Sequence, residues 1–178
     1  LYMSSIALGV AALVAIDSFA SNTQQSVREQ ARALLGGDIS VTSRQDFPKT
    51  VLTAFDSLRR EGVGVAMVST FASMALVERT GTTRLAQIRA VSNGYPWYGE
   101  ITTAPANQWA RLQSGRFALV DPSLLGALGA HVGDTLALGF ARFIIIGTLV
   151  NVPGDVAVAS AIGPRIYIPA AFLDETSL

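Results

Sequence analysis

The spacing of hydrophobic and polar positions changes several times along the chain, and each change predicts a new element. Leu1 to Ile16 is mostly apolar and carries no charge. It passes without a proline into Asp17 to Leu35, where Phe19, Val27, Ala31, Leu34 and Leu35 fall on one helical stripe. Arg28, Glu29 and Arg32 take the other side, with Glu29 and Arg32 at a favourable spacing. Gly36-Gly37 supplies the left-handed residue with which helices commonly end. The alternation in Asp38 to Arg44 predicts a strand, and Val51, Leu52, Phe55 and Leu58 predict a helix with Pro48 in its first turn, ended by Glu61-Gly62.

Val63 to Arg79 and Thr83 to Val91 are rich in Val, Thr, Met and Phe. Gly81-Thr82 divides them, so they read as a long hairpin expected to bend or bulge. The pattern breaks at Asn93-Gly-Tyr-Pro-Trp-Tyr-Gly99, an aromatic crossing between two parts of the fold. Packing is the expected role of its aromatics; a ligand-stacking platform is the alternative. Phe117 to Val120 predicts a strand entering a helix with Asp121 as N-cap, Pro122 first, a turn over Ser123 to Leu128, and Gly129 closing it. Thr135 to Leu138, Phe140 to Val150 and Arg165 to Ile168 read as strands, with a Gly-, Ala- and Ser-rich loop before the last. Pro169 ends that strand, and Ala170 to Leu173 begins a helix.

The opening block changes the reading of the whole. A bilayer crossing takes about 20 apolar residues at about 1.5 Å each, so a run of this length, opening on Leu, reads as the outer end of a cut transmembrane helix that continues as a stalk. A signal peptide cleaved after Ser18-Phe19-Ala20 and a buried core helix are the alternatives.

Composition narrows the function classes. With 178 residues and 50% of them hydrophobic, a sizeable core is available. Thirteen basic and thirteen acidic residues cancel without forming runs, which argues against a nucleic-acid partner. The absence of cysteine removes disulfides, thiol nucleophiles and cysteine metal sites. Ser123, His131 and Asp134 or Asp121 are residue types of a hydrolase triad, but no nucleophile elbow surrounds a serine, and His131 lies in a Gly-flanked turn. Lys49-Thr50 mimics the end of a P-loop without its upstream glycines. One histidine and scattered carboxylates do not make a metal site. No catalytic, cofactor-binding or metal-binding residue is therefore expected, and Asp121 and Asp134 read as cap and turn residues.

Several segments in a fixed order carry a resemblance. Leu34-Leu35-Gly36-Gly37-Asp38-Ile39 ends the stalk, Tyr95-Pro-Trp-Tyr-Gly-Glu100 forms the crossing, and Ala118-Leu-Val-Asp-Pro-Ser-Leu-Leu125, Val132-Gly-Asp-Thr135 and Gly163-Pro-Arg-Ile-Tyr-Ile-Pro169 follow. Over nearly its whole length the chain resembles the MacB-like periplasmic core domain, the first extracytoplasmic domain of an FtsX/YbbP-type ABC transporter permease.

That resemblance implies an α+β fold in two lobes on a long N-terminal helix. Its parts would be a truncated membrane helix at 1–16, a stalk helix at 17–37, an α+β lobe at 38–92 resumed at 161–178, and an inserted mostly β lobe at 93–160. It further implies a non-catalytic permease subunit in the bacterial cytoplasmic membrane, with this domain on the periplasmic side. A cytoplasmic ABC ATPase subunit and the lipid bilayer are the implied partners, and a second permease copy and a periplasmic protein are compatible ones. The cargo it implies is hydrophobic or lipid-like, and no cofactor is implied. A rigid helix of about 35 residues would reach roughly 50 Å and could carry membrane motion outward. A membrane-tethered binding or scaffold module without transport is the alternative function.

Overall fold

The computed structural model describes residues 2–35, 37–152 and 163–178, with side chains described outside 2–8 and 31–35. Gly36 and most of the loop predicted between Asn151 and Arg165 lie outside the described residues, as do the side chains of Ala31, Leu34 and Leu35 on the predicted stripe. Helix α1 spans Tyr2–Leu35. Its described side chains, residues 9–30, are all exposed. Among the described residues, no helix is long and apolar enough to cross a membrane.

An irregular stretch leads to α2 (Lys49–Arg60), with Pro48 as its extended N-cap residue and Glu61 as its C-cap. Pro48 suits this position because its ring fixes φ and a helix start does not use the missing N–H. Phe47 meets the Phe55 ring edge-on at 5.6 Å and seats the incoming chain on the helix. No residue of α2 is buried.

Seven strands follow: β1 (Val68–Val77), β2 (Thr82–Val91), β3 (Thr102–Ala104), β4 (Phe117–Val120), β5 (Thr135–Leu138), β6 (Ala141–Asn151) and β7 (Arg165–Pro169). Between them lie α3 (Gln108–Leu112) and α4 (Pro122–Leu128), and a 3-10 turn at Ala170–Phe172 leads into α5 (Leu173–Thr176). The strands form one sheet in the order β3-β6-β4-β7-β2-β1-β5, and β5 also pairs with β6. That last pairing closes β1, β2, β7, β4, β6 and β5 into a barrel, with β3 added outside the ring along β6. Closure leaves no open edge in the ring to seek another strand.

The barrel interior is built from inward positions on every strand of the ring. Val77, Ile88, Val120, Leu138, Phe143 and Ile166 belong to it, together with Ala75, Ala86, Ala90, Ala118 and Ala141. A ring this small has room for large side chains only where alanines face them. α4 lies across the end where β4 stops and the β1–β2 turn emerges, and it inserts Leu124 and Leu128 into the same core. Phe172 and Leu173 pack against it as well.

A second cluster sits outside the wall. Leu112 of α3 packs there with Val91, Ile101, Leu119, Ile146, Leu149, Val152 and Tyr167. β4 and β7 are thus covered on both faces, which is why Phe117-Ala-Leu-Val120 and Ile166-Tyr-Ile168 are continuously apolar and do not alternate. The β4–β6 register shifts between Ala118 and Leu119, which face Ile145 and Gly147 and leave Ile146 as the extra residue. Gly147 is required next, because a Cβ there would sit 2.9 Å from the Ala104 carbonyl oxygen of β3.

Ion pairs tie the turns to this frame. Arg79, beyond the end of β1, donates from Nε to Asp134 Oδ1 at 2.9 Å and from Nη2 to Asp134 Oδ2 at 2.8 Å. The same Nη2 donates to the Gly129 carbonyl at 2.7 Å, so the hairpin tip is fastened to the end of α4. Arg79 beside it, together with the His131 backbone N–H, holds the Asp134 carboxyl down at about 2. Arg142 pairs with Glu78 across the β1–β5–β6 corner.

Three expectations are corrected. Asp38 to Arg44 is irregular, with Ile39 and Val41 exposed: alternation alone does not make a strand, and no neighbouring strand among the described residues offers it a ladder. The first strand of the hairpin starts at Val68 and not Val63, and the ladder from Val68↔Val91 to Val77↔Thr82 runs without a bulge because the barrel curvature is taken up elsewhere. Asp121 is the N-cap residue of α4 but makes no side-chain capping bond. Its carboxylate accepts from Arg165 Nε at 3.1 Å, a charged donor that outcompetes the helix N–H groups. Strands from 38–92, 93–160 and 161–178 all share the one sheet.

Two predictions follow from this packing. Phe143 is fully buried in the barrel, so Phe143→Ala should cost about 3–5 kcal/mol, read from the denaturant midpoint at unchanged m-value. Because the Asp134 carboxyl is lowered from 3.8 to about 2 in the folded state, its contribution is complete above the ionisation range of an unfolded aspartate and is lost as pH falls through the folded value. Asp134→Asn should therefore lower Tm by a constant amount from neutral pH to about pH 5, and the difference from the parent should shrink towards zero near about pH 2.

Candidate functional site

The crossing between β2 and β3 carries three aromatic side chains, Tyr95, Trp97 and Tyr98. It is anchored at its start, where Met67 N–H donates to Ser92 Oγ at 2.7 Å and Ser92 N–H donates to the Met67 carbonyl at 2.9 Å. Gly94 has φ +91, a conformation that side chains rarely adopt, and the chain turns there towards Tyr95. The Tyr95-Pro96 and Ala104-Pro105 peptide bonds are cis.

Tyr95 starts a stack that runs into the barrel wall. Its carbonyl accepts from Trp109 Nε1 at 3.2 Å, and its ring meets the Trp109 ring at 6.4 Å between centroids. Trp109 in turn meets Tyr167 edge-on at 5.5 Å. The fully buried Tyr167 accepts at its hydroxyl from Arg89 Nη1 at 2.8 Å, which satisfies the one polar atom that this ring brings into the apolar cluster. Burial pushes the Tyr167 hydroxyl up, and the Arg89 charge beside it pulls the other way.

Trp97 and Tyr98 point away from this stack. The Trp97 ring lies flat against the backbone at Gly64 and Gly94, where a Cβ would come within 2.6 Å and 2.9 Å of Cζ2. Tyr98 donates its hydroxyl to Asp38 Oδ2 at 2.9 Å. The packing role expected for the crossing aromatics is thus visible atom by atom.

His131 and Asp134 lie side by side, and both contact Arg79. His131 Nδ1 lies 2.8 Å from Arg79 Nη2 and 4.0 Å from Asp134 Oδ2, and the Asp134 carboxylate already accepts from Arg79 and from the His131 backbone N–H. The Asp121 carboxylate faces Arg165, and Ser123 lies on the exposed first turn of α4. Both aspartates accept from arginines that tie parts of the fold together. Lys49 begins α2 directly after the extended Pro48, where its carbonyl accepts from Thr53. A phosphate-cradling loop does not precede it. Among the described residues, no group of three His, Asp or Glu side chains could hold a metal ion.

An open groove of about 370 Å³ is lined by the Asp121–Arg165 pair, Pro122, Asn151, Leu149, Val150 and Val152. Among the described residues its charged feature is the salt bridge that ties β4 to β7. Sequence reasoning passed over Trp109, Tyr167, Arg89 and Arg79. The usable signal was a tyrosine inside the apolar run Ile166-Tyr-Ile168, because a buried hydroxyl demands a partner.

Comparison with known proteins agrees with the architecture. The chain is 27% identical over 172 residues to the ABC transporter permease YbbP of Escherichia coli (strain K12), covering 97% of this chain and 20% of that protein. It thus spans about a fifth of the relative's length. The extracellular domain of the noncanonic ABC-type transporter YknZ from Gram-positive bacteria aligns at a TM-score of 0.51 and 12% identity, over 74% of this chain and 66% of that one, and shares its fold. Residues 1–177 match the MacB-like periplasmic core domain. With a match that spans nearly the whole chain, this protein belongs to the MacB-like periplasmic core domain family.

Proposed function

We propose that the chain is the extracytoplasmic domain of an ABC transporter permease, in which α1 is a stalk that passes motion from the membrane to the barrel. The observation that carries this reading is α1 itself. It is one helix of 34 residues, about 50 Å long at about 1.5 Å per residue, with no proline to kink it. Val10, Leu13, Val14 and Ile16 stand exposed in its first half. Exposed apolar residues in that number need lipid or another protein around them, whereas the second half carries the charges that suit water.

In this reading the apolar half of α1 is the outer end of a membrane helix of the bacterial cytoplasmic membrane, and everything after it lies on the periplasmic side. A separate cytoplasmic ATPase supplies the energy, and the cargo is hydrophobic or lipid-like. The segment before Met67, whose α2 buries none of its residues, belongs with the membrane-proximal lobe, and the barrel forms the outer lobe. The domain's part is mechanical. Asp134 and Asp121 serve as clamps, in the pairs Arg79–Asp134 and Asp121–Arg165, that keep the barrel a rigid body.

A rigid stalk transmits motion only while nothing hinges it. Inserting Gly-Gly after Gln25 in the full-length permease should abolish ATP-dependent release of a fluorescent phospholipid from proteoliposomes while the ATPase still copurifies. Undiminished release in that variant would overturn the mechanical reading and leave a tethered binding module in its place.

A further inference from the structure

The four residues from Tyr95 to Tyr98 touch three separate parts of the molecule. The Tyr95 carbonyl is bound by Trp109 in the barrel's outer cluster. Trp97 presses on Gly64, in the joint between α2 and β1. Tyr98 reaches Asp38, three residues after the end of α1. Elsewhere the helical segment is held lightly: the described side chains of α1 are exposed, α2 buries none of its residues, and residues 38–48 are irregular. Gly62, at φ +86, ends α2, with its N–H donating to the Arg59 carbonyl and the Val63 N–H to the Leu58 carbonyl.

Trp97 is 49% exposed, so its ring is not placed there to fill a core. A large flat side chain seated on two glycines, neither of which can take a Cβ without collision, is instead a fitted contact. Glycine at 64 costs backbone entropy, and the close seat of the indole is what requires it. Tyr98 adds a directional hydrogen bond to a carboxylate. Together the two contacts fix both ends of the stretch from 38 to 64 on one rigid loop.

We infer that Trp97 and Tyr98 form a latch that sets the direction of the α1–α2 segment against the barrel, so that movement of α1 turns the barrel and is not lost in the irregular stretch before α2. The latch is a claim about geometry. Its use in transport rests on the stalk reading above, and the two can fail separately.

Pulsed electron-spin distance measurement on the full permease without nucleotide tests it. Spin labels go on Ser26→Cys of α1 and Thr83→Cys of β2, both exposed, and this sequence contains no cysteine to compete. The parent should give one narrow distance distribution. Trp97→Ala with Tyr98→Phe should widen it about twofold, and Gly64→Val should widen it with the indole still present. Tm of the barrel should stay within about 2 °C of the parent, as expected for side chains outside both cores. If the double variant fails to fold, Tyr98→Phe alone and Gly64→Val give the reading. A distribution already broad in the parent, or one left unchanged by these substitutions, overturns the latch. Lost phospholipid release with widened distances supports latch and stalk together, whereas widened distances with full release keep the latch and remove the stalk.

Discussion

Closure of the sheet through β5 is the constraint on which the rest of the structure depends. β5 is only four residues long, Thr135 to Leu138, yet it pairs with β1 on one side and β6 on the other. Without it β1 and β6 would have unpaired backbone groups, and the interior would open to water between them. Each unsatisfied group buried at such a seam costs about 1–3 kcal/mol, so the ring is favoured strongly over an open sheet. The Arg79–Asp134 clamp and the Arg142–Glu78 pair both lie at this corner, where they hold the turns flanking the short strand.

Closure also decides the kind of side chain each position can carry. The inside of a narrow ring takes Phe143, Ile88 and Leu138 only because Ala75, Ala86, Ala90, Ala118 and Ala141 face them. Outside, α3 covers β4 and β7, and Tyr167 becomes fully buried although it points away from the barrel. Its hydroxyl then needs Arg89, and its ring becomes the last member of the stack that begins at Tyr95. The aromatic crossing is therefore fastened to the same wall that closure makes rigid.

A rigid barrel, an unbroken helix and a fitted contact between them are the physical requirements for passing movement over tens of ångströms. The barrel meets the first through two cores sharing one wall, and α1 meets the second. In the proposed latch Trp97 and Tyr98 supply the third, where the crossing meets Asp38 beyond α1 and Gly64 before β1. The two aspartates that resembled catalytic residues in the sequence contribute here as partners of Arg79 and Arg165.

Most of the local structure was legible because it is encoded locally. Thr83 to Val91, Phe117 to Val120 and Arg165 to Ile168 were marked by their apolar and β-branched runs, and α4 by Pro122 at its start and Gly129 at φ +59 after its end. β3 and α3 carried too few residues to show a period. Asp38 to Arg44 alternated but found no strand among the described residues to pair with, which no reading of its own residues could reveal. The sequence by itself determined where strands and helices could form. Only the tertiary structure decided that strands from three segments close one ring, that Asp121 binds Arg165 and not the start of α4, and that Trp97 rests on Gly64. Those outcomes depend on contacts between residues far apart in the chain, and neither periodicity nor propensity contains that information.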